Sequence, residues 1–285
     1  MSIEIKNLKY VYNPGLPGET VALDDVSLTI SEGEMVGIIG HTGSGKSTLL
    51  QHMNGLLKPD SGHVFVDGEC ITDDKTDLVD IRRRVGLVFQ YPEYQLFEET
   101  VVDDVAFGPK NLGIEGEELK KTVREAIEIV GLDYEEIKDS SPFELSGGMK
   151  RRVAIAGVIA MRPSVLILDE PTAGLDPTAH RDILSMIRRI NEEKEITIIL
   201  VSHNMGDIAK MCDRVIVMEN GKIVLEGRPR EIFTQDALLE SMGLDVPPAL
   251  DIMRKISKSI DGFTSSALTL DEAAEDIKEF MKRKK

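Results

Sequence analysis

The chain has 285 residues, of which 41% are hydrophobic and 29% charged, an ordinary composition for a globular protein with a sizeable core. Its formal net charge of −16 argues against nonspecific nucleic-acid binding, which requires a basic surface. No apolar run approaches transmembrane length, and the N-terminus opens with strand-like alternation instead of a signal peptide. We therefore expect a cytosolic chain in which Cys70 and Cys212, which lack metal-ligand spacing, are reduced thiols.

The first part of the chain predicts antiparallel strands followed by a strand–loop–helix unit. Residues 2–30 alternate apolar and polar side chains around a turn at residues 13–18, and residues 63–66 begin a hairpin of the same layer. The apolar run MVGII at residues 35–39 is typical of a buried strand, and residues 47–53 have helical periodicity.

The middle of the chain predicts an α/β arrangement. Residues 85–89 form a short apolar strand, and residues 100–160 are mostly helical in pattern. The continuous apolar runs at 165–168 and 196–201 indicate strands buried on both faces of a parallel sheet, with a helical segment between them. A hairpin follows, with strands at 215–218 and 222–225 around Glu219, Asn220 and Gly221.

The last part of the chain changes character after Gly227. It contains no strand-like run, and its final segment opens with the capping-box pattern TLDE at residues 269–272 and ends in basic residues that complement the helix dipole. We predict one main unit over residues 1–230, with a helical subdomain at about 91–160, and a small helical extension over residues 231–285.

A phosphate-binding loop, called the P-loop below, lies between the predicted strand at 35–39 and the following helix. Residues 40–47 fit the pattern G-x-x-x-x-G-K-[ST]. Backbone N–H groups and the helix N-terminus attract a phosphate. Lys46 adds a full positive charge, and the hydroxyl of Ser47 is suited to Mg²⁺. The residues of this loop are Gly40, His41, Thr42, Gly43, Ser44, Gly45, Lys46 and Ser47.

Two acids follow the apolar strand at residues 165–168. At the carboxyl end of a buried strand beside the P-loop, Asp169 can hold Mg²⁺, and Glu170 can orient and deprotonate the water that attacks the γ-phosphate. His203 follows the next strand, where a polar side chain faces the ligand in a doubly wound sheet. A solvated pair of acids and an ordinary surface histidine are the alternatives.

A second anion cradle is predicted at residues 145–148, LSGG, which precede a helical segment and are called the signature segment below. The backbone amides and the Ser146 hydroxyl can bind a phosphate there. Because the chain has one lysine-bearing loop but two cradles, a head-to-tail dimer, with the second cradle closing on the partner's ATP, accounts for both.

Over residues 1–230 the chain resembles the ATP-binding cassette (ABC) ATPases. The resemblance rests on the presence and order of the P-loop, the signature segment, Asp169-Glu170 and His203. The resemblance implies that Tyr12, with Tyr10 as competitor, stacks on adenine, that Thr48 contacts nucleotide, and that Gln90 contacts Mg²⁺ and reports nucleotide state. It implies catalysis by Glu170, His203 and Lys46 and metal binding by Ser47, Gln90 and Asp169. It assigns Ser146, Gly147 and Gly148 to the partner's site and Asp176 to a D-loop that crosses the dimer interface. Met149 stands where the family usually has glutamine, which puts one contact to the opposing nucleotide in doubt.

Residues 88–101 and 104–113 are similar to the ATPase subunits of energy-coupling factor (ECF) transporters, and His41-Thr42 resembles the second of their two paralogous ATPases. This implies a peripheral membrane ATPase that uses ATP and Mg²⁺, pairs with a second ABC ATPase as a homo- or heterodimer, and serves an integral membrane scaffold and a substrate-binding membrane subunit. Such transporters import vitamins or transition-metal ions. Phe97, Tyr91 and Tyr94 form either a groove for a partner's short helix or part of the helical core.

Three alternatives remain from the sequence. The chain could serve a conventional ABC importer with a separate binding protein, or it could be a soluble ABC protein acting on nucleic acid or ribosomes. Soluble ABC proteins of that kind usually have paired cassettes or a long coiled-coil insertion, and this sequence indicates neither. The acidic charge of the chain also weighs against nucleic-acid binding. A P-loop kinase would leave the signature segment unexplained.

Overall fold

A computed structural model of the protein describes residues 2–73 and 75–283. Within these ranges the chain forms two β-sheets with helices packed around them. The strands are β1 (Ile3–Tyr12), β2 (Thr20–Ile30), β3 (Met35–Ile39), β4 (Ser61–Val66), β5 (Glu69–Cys70), β6 (Val85–Val88), β7 (Val165–Asp169), β8 (Thr197–Val201), β9 (Arg214–Glu219) and β10 (Lys222–Gly227). The α-helices are α1 (Lys46–Met53), α2 (Leu78–Arg84), α3 (Val101–Asn111), α4 (Gly116–Ile129), α5 (Tyr134–Ile137), α6 (Gly147–Ile159), α7 (Pro177–Lys194), α8 (Met205–Met211), α9 (Pro229–Phe233), α10 (Asp236–Ser241), α11 (Pro248–Ser259) and α12 (Leu270–Arg283). The predicted α/β class with an antiparallel layer is confirmed.

The smaller sheet has the strand order β2-β1-β4-β5, and all of its neighbouring strands are antiparallel. Ile3 and Ile5 of β1 are buried, because alternation along a strand places them on the same inward face. Leu8 is buried on that face too, since a register shift between Ile5 and Leu8 resets the alternation. The β4–β5 hairpin belongs to this sheet, as the sequence predicts, and β5 lies at its edge.

The larger sheet has the order β10-β9-β3-β8-β7-β6 and is parallel except for the β9–β10 hairpin. Every residue of β3 and β8 is buried, since both faces of the sheet are covered. β3 pairs with β8, and β8 pairs with β7, so the segments that follow these three strands meet at one edge.

The helices α3, α4 and α6 share one continuous hydrophobic core with the parallel sheet. Val105, Val123 and Val153 from these helices belong to the same buried cluster as Leu166 and Leu168 of β7. The helical region therefore packs directly on the sheet instead of enclosing a core of its own, and the boundaries at residues 91 and 160 stay predictions.

The described residues of the segment after β10 form the helices α9 to α12, joined by short loops, and contain no strand. Phe233 and Leu239 join the main core, whereas Met253, Phe263 and Ala273 form a small cluster of their own. The boundary between residues 230 and 231 also stays a prediction. Over the described chain, every helix is too short or too polar to traverse a bilayer.

Only half of the predicted capping box forms at the start of α12. The Oγ1 atom of Thr269 accepts a hydrogen bond of 3.2 Å from the N–H of Glu272, as expected of an N-cap. The Glu272 carboxylate, however, accepts a bond of 2.8 Å from the N–H of Leu268, one residue before the cap. Because Arg230 also pairs with Glu272 at 2.9 Å, this carboxylate connects α12 to α9.

Candidate functional site

The P-loop curls tightly between β3 and α1. Gly45 has a φ of 103°, and a Cβ placed there would lie 2.5 Å from the carbonyl oxygen of Ala22. A Cβ at Gly40 would lie 2.4 Å from the carbonyl oxygen of Met218. The close approach of neighbouring backbone therefore requires glycine at both positions.

The Lys46 ammonium group is held inside the P-loop. Its Nζ atom donates hydrogen bonds of 2.6 Å to the carbonyl oxygen of Gly40 and 3.0 Å to that of His41. Burial lowers the pKa of Lys46, while the nearby Glu170 and Asp169 favour its charged form. The loop thus positions one positive charge at the start of α1.

The two predicted acids lie where β7 ends. Ser47 donates a 3.3 Å hydrogen bond from Oγ to Oδ2 of Asp169, which joins the P-loop to β7. The N–H of Glu170 donates to the carbonyl oxygen of Val201 at 3.0 Å, and Glu170 adopts a φ of 51°, rare for a non-glycine residue. Burial raises the pKa of both carboxyl groups.

His203 approaches Glu170 from the neighbouring strand end. Its Nε2 atom lies 3.4 Å from Oε1 of Glu170, and 57% of its side chain is exposed. Among the described residues, no hydrogen-bond donor satisfies this buried Oε1 atom. Within the described chain, Oε1 of Glu170 thus makes no hydrogen bond of its own beside the P-loop and has His203 Nε2 nearby, which leaves it able to accept a proton from water.

A cavity of about 410 Å³ connects these side chains and is called the P-loop cavity. Most of the predicted nucleotide and metal residues lie in its wall, including Gln90. Three wall residues were not predicted, namely Thr20, Ala22 and Val201; Thr20 is found only through the β1–β2 register, which pairs it with Tyr12. The full lining is Tyr12, Thr20, Ala22, Thr42, Gly43, Gly45, Lys46, Ser47, Thr48, Gln90, Asp169, Glu170, Val201 and His203.

The structure separates the two candidate tyrosines. Tyr12 lines the P-loop cavity, and its hydroxyl lies 3.3 Å from Oγ1 of Thr48. Tyr10 instead packs edge-on against Tyr12 and His52, with ring centroids 4.9 Å and 4.8 Å away. Tyr12 is therefore the aromatic ring available to a ligand, and Tyr10 supports it from behind.

The signature segment lies outside the wall of this cavity. Ser146 is the N-cap of α6, and its Oγ atom accepts a long hydrogen bond of 3.4 Å from the N–H of Met149. Ser146 and Gly147 are exposed, whereas the Met149 side chain packs against the main core. Met149 thus contributes packing from within the chain, and Ser146 and Gly147 remain exposed.

Asp176 is also exposed and outside the cavity wall. Its Oδ1 atom accepts hydrogen bonds from the N–H groups of Thr178 at 2.9 Å and Ala179 at 3.1 Å, and these bonds lower the pKa of the carboxyl group. Within the chain Asp176 therefore acts as the N-cap of α7.

Arg151 connects the signature helix to the rest of the site, a role that the sequence does not reveal. The side chain is 1% exposed and pairs in bidentate fashion with Glu93, at 3.1 Å and 2.8 Å. Its Nη1 atom also donates to the carbonyl oxygens of Pro171 and Ala173, at 3.0 Å and 2.8 Å. An arginine in a basic helical segment offers no signal that distinguishes it from a solvated charge.

Comparison with known proteins identifies the family. Residues 23–173 match the family model described as ABC transporter. A relative from Clostridium perfringens (strain 13 / Type A), named energy-coupling factor transporter ATP-binding protein EcfA2, is 55% identical over 282 residues, which cover 99% of each chain. A relative of the same name from Caldanaerobacter subterraneus subsp. tengcongensis is also 55% identical, over 99% of this chain and 98% of its own.

Solved structures agree with this assignment. CbiO1 from Clostridium perfringens, described as part of the ABC transporter complex cbiONQ, has a TM-score of 0.75 and 39% identity, covering 88% of this chain and 98% of its own. A dimeric ATP-binding cassette in a post-hydrolysis state with ADP and Pi has a TM-score of 0.71 and 33% identity, covering 80% and 98%. The resemblance stated from the motifs is confirmed. Similarity along the whole chain, joined to a cassette fold with its phosphate loop and paired acids, makes this protein an ATPase of the ABC transporter family, in the group of ATP-binding subunits of energy-coupling factor transporters.

Proposed function

We propose that this ATPase powers an ECF-type importer, in which ATP binding and hydrolysis drive the uptake of a vitamin or a transition-metal ion through membrane partners. The observation that carries the proposal is the P-loop cavity, where Lys46, Asp169, Glu170 and His203 converge. Names of relatives that match along the full length support the transporter class. Another subunit selects the solute, since every predicted site residue of this chain serves ATP.

The oxygen atoms in the P-loop cavity fit Mg²⁺. Ser47 and Asp169 are already 3.3 Å apart through Oγ and Oδ2, and the Gln90 amide lines the same wall. Hard oxygen ligands of this kind suit a small divalent cation. When bound there, Mg²⁺ neutralises charge on the phosphates. Lys46 binds the β- and γ-phosphates once its ammonium leaves the two loop carbonyls.

Glu170 is the group that activates the attacking water. Its ionised carboxylate accepts a proton from water through Oε1, which makes no hydrogen bond within the described residues, and burial raises the pKa of this carboxyl group, which makes the carboxylate a stronger base. His203, whose Nε2 atom lies 3.4 Å from Oε1 of Glu170, donates a hydrogen bond from Nε2 to the γ-phosphate as negative charge develops on it. Tyr12 stacks on the adenine ring at the other end of the cavity.

A second ATPase subunit completes the site. The signature segment presents exposed amides at the N-terminus of α6, where a helix attracts phosphate. In the proposed dimer, Ser146, Gly147 and Gly148 close on ATP held by the partner's P-loop, and Asp176 lies at the interface. ATP closes this dimer, and hydrolysis opens it.

A groove beside Gln90's segment suits a helix from the membrane partner. It has a volume of about 390 Å³, and its two aromatic residues, Phe97 and Phe107, are 57% and 45% exposed and stack edge-on at 4.9 Å. Tyr91 and Tyr94, which the sequence analysis grouped with Phe97, are not among the residues that line this groove. Exposed aromatic rings beside a half-buried Asp104 offer an amphipathic helix both apolar and polar contacts.

Affinity purification of the tagged chain from gently solubilised host membranes tests the proposal. We expect a polytopic scaffold, a second and similar ATPase, and small membrane proteins that identify the solute. Large paired permeases would point to a conventional ABC importer instead. Ribosomes, or no membrane protein at all, would contradict a transport role while leaving the ATPase intact.

A further inference from the structure

The β4–β5 hairpin carries a second group of chemically active side chains, outside the P-loop cavity. His63, Cys70 and Asp73 each direct one ligand atom to a common point, and these three atoms lie within 4.8 Å of one another. We call this group the hairpin cluster. No part of the proposed ATPase mechanism uses it.

The strand register explains why the cluster forms. Cys70 of β5 pairs with Phe65 of β4, and His63 lies two residues away on the same face of β4. The chain then turns back, held by a 2.8 Å hydrogen bond from Oγ1 of Thr76 to the carbonyl oxygen of Cys70, and this turn includes Asp73. The three side chains thus converge through tertiary pairing, although their spacing in sequence matches no metal motif.

The two distances from Cys70 are close to those between metal ligands. The Sγ atom of Cys70 lies 3.8 Å from Nδ1 of His63 and 3.6 Å from Oδ1 of Asp73. Zinc bonds of about 2.3 Å to sulfur and about 2.0–2.2 Å to nitrogen or oxygen place tetrahedral ligands about 3.5 Å apart. Movements of a few tenths of an ångström would bring these two pairs to the spacing of a bound ion, and the His63 and Asp73 ligand atoms, which lie within 4.8 Å of each other, would close on the same ion.

We propose that the hairpin cluster binds a borderline divalent transition metal of the Zn²⁺ type. One thiolate, one imidazole and one carboxylate form a donor set that favours such an ion over Mg²⁺, which prefers oxygen ligands alone. Water completes the tetrahedron, because His63 and Asp73 are exposed and Cys70 is half-buried. The bound ion cross-links β4 to the turn after β5.

Two neighbours must accommodate the ion. The Thr72 hydroxyl lies 3.1 Å from Sγ of Cys70 and 3.3 Å from Nδ1 of His63, so it rotates aside or becomes an outer partner of the ligands. Lys6 of β1 lies opposite His63 of β4 in the sheet. Its ammonium group is paired with Glu4 at 3.0 Å and lies over the Phe65 ring. Its charge is thus already balanced.

Titration of the metal-free, full-length protein with Co²⁺, without nucleotide, tests the proposal. A cobalt–thiolate charge-transfer band reports only on cysteine, and the chain has two cysteines. We expect a band that saturates at one ion per chain, is bleached by Zn²⁺, and disappears in Cys70→Ser. Loss of a ligand in His63→Gln or Asp73→Asn should weaken binding by at least about tenfold, the lower limit for loss of a supporting partner.

Cys212→Ala is the matched control, because this buried thiol lies against Gly37 in the interior. The band should be unchanged in that variant. Three results would overturn the proposal. They are the absence of any thiolate band, a band that persists in Cys70→Ser, and a Co²⁺ affinity in His63→Gln and Asp73→Asn equal to that of the wild type. Since none of these readouts involves ATP, failure here would leave the proposed function untouched.

Discussion

The P-loop cavity and the signature segment differ in how completely one chain builds them. In the cavity, Lys46 and Glu170 are each 8% exposed, and burial shifts their pKa values. In the signature segment, Ser146 and Gly147 are exposed, and the serine makes one long bond to the N–H of Met149. The pKa values of charged side chains are shifted where strand ends and loops bury them. A helix N-terminus, in contrast, can offer its backbone amides to another molecule.

Glu170→Gln tests the cavity half of this comparison and has the largest expected effect. Removing a general base slows hydrolysis by about 100- to 10,000-fold, while ATP binding and ATP-driven dimerisation should persist because the amide keeps the shape of the site. Phosphate release and size-exclusion chromatography with ATP measure the two properties. Turnover equal to that of the wild type would remove Glu170 from this role.

Arg151→Met tests the connection between the two regions. The substitution leaves the carboxylate of Glu93 and two carbonyl oxygens without their partner, and breaking a buried pair in this way costs about 3 kcal/mol. Urea unfolding measures the loss. The exposed Arg181→Met is the control and should change stability by less than about 0.5 kcal/mol. Equal midpoints for both variants would contradict the role of Arg151.

Substitutions at Ser146 test the outward-facing half. A hydrogen bond to a charged phosphate is worth about 1.5–3 kcal/mol, so Ser146→Ala should reduce hydrolysis by about 10- to 160-fold, with ATP binding to the isolated subunit unchanged. Ser146→Asp retains an N-cap but repels phosphate. If Ser146→Asp hydrolyses ATP normally, the serine acts only as a cap and the proposed dimer contact is wrong.

Tyr12→Ala tests which aromatic residue binds adenine. Loss of base stacking worth about 1 kcal/mol should weaken ATP binding by about fivefold in a nucleotide titration. Tyr10→Phe, which keeps the ring packed against His52, should bind ATP normally. A weaker affinity in Tyr10→Phe with no change in Tyr12→Ala would reverse the assignment.

The pH dependence of stability gives the smallest expected effect. Because burial raises the pKa of Glu170, the folded chain binds its proton more readily than the unfolded chain does. The contribution of Glu170 to stability is therefore fully present at pH values below its pKa in the unfolded chain. It is lost as the pH rises through its pKa in the folded chain. Thermal unfolding should show Glu170→Gln as the more stable protein above that range, and the difference should vanish in acid. An advantage of equal size at every pH would contradict the raised pKa.

Local patterns in the chain predict the P-loop side of the site well. The glycines, Lys46 and Ser47 are adjacent in sequence, and Asp169 and Glu170 end one apolar run, so short-range patterns identify them. The structure brings them together because strands of a parallel sheet end at one edge. Their catalytic roles stay predictions.

Contacts between distant segments could not be predicted in the same way. Arg151 and Glu93 are 58 positions apart, and only the packing of α6 reveals that this arginine is buried. The hairpin cluster depends on the β4–β5 register, which sequence spacing does not encode. The choice between Tyr12 and Tyr10 likewise required knowing which ring faces the cavity.

By itself, the sequence determined the class of fold and predicted the phosphate-binding residues, because each depends on periodicity or on adjacent side chains. The tertiary structure alone decided which charges are buried, which tyrosine faces the cavity and which side chains meet across the hairpin. The physical reason is that burial and register are set by the packing of elements far apart in the chain, and these determine pKa, ligand geometry and exposure.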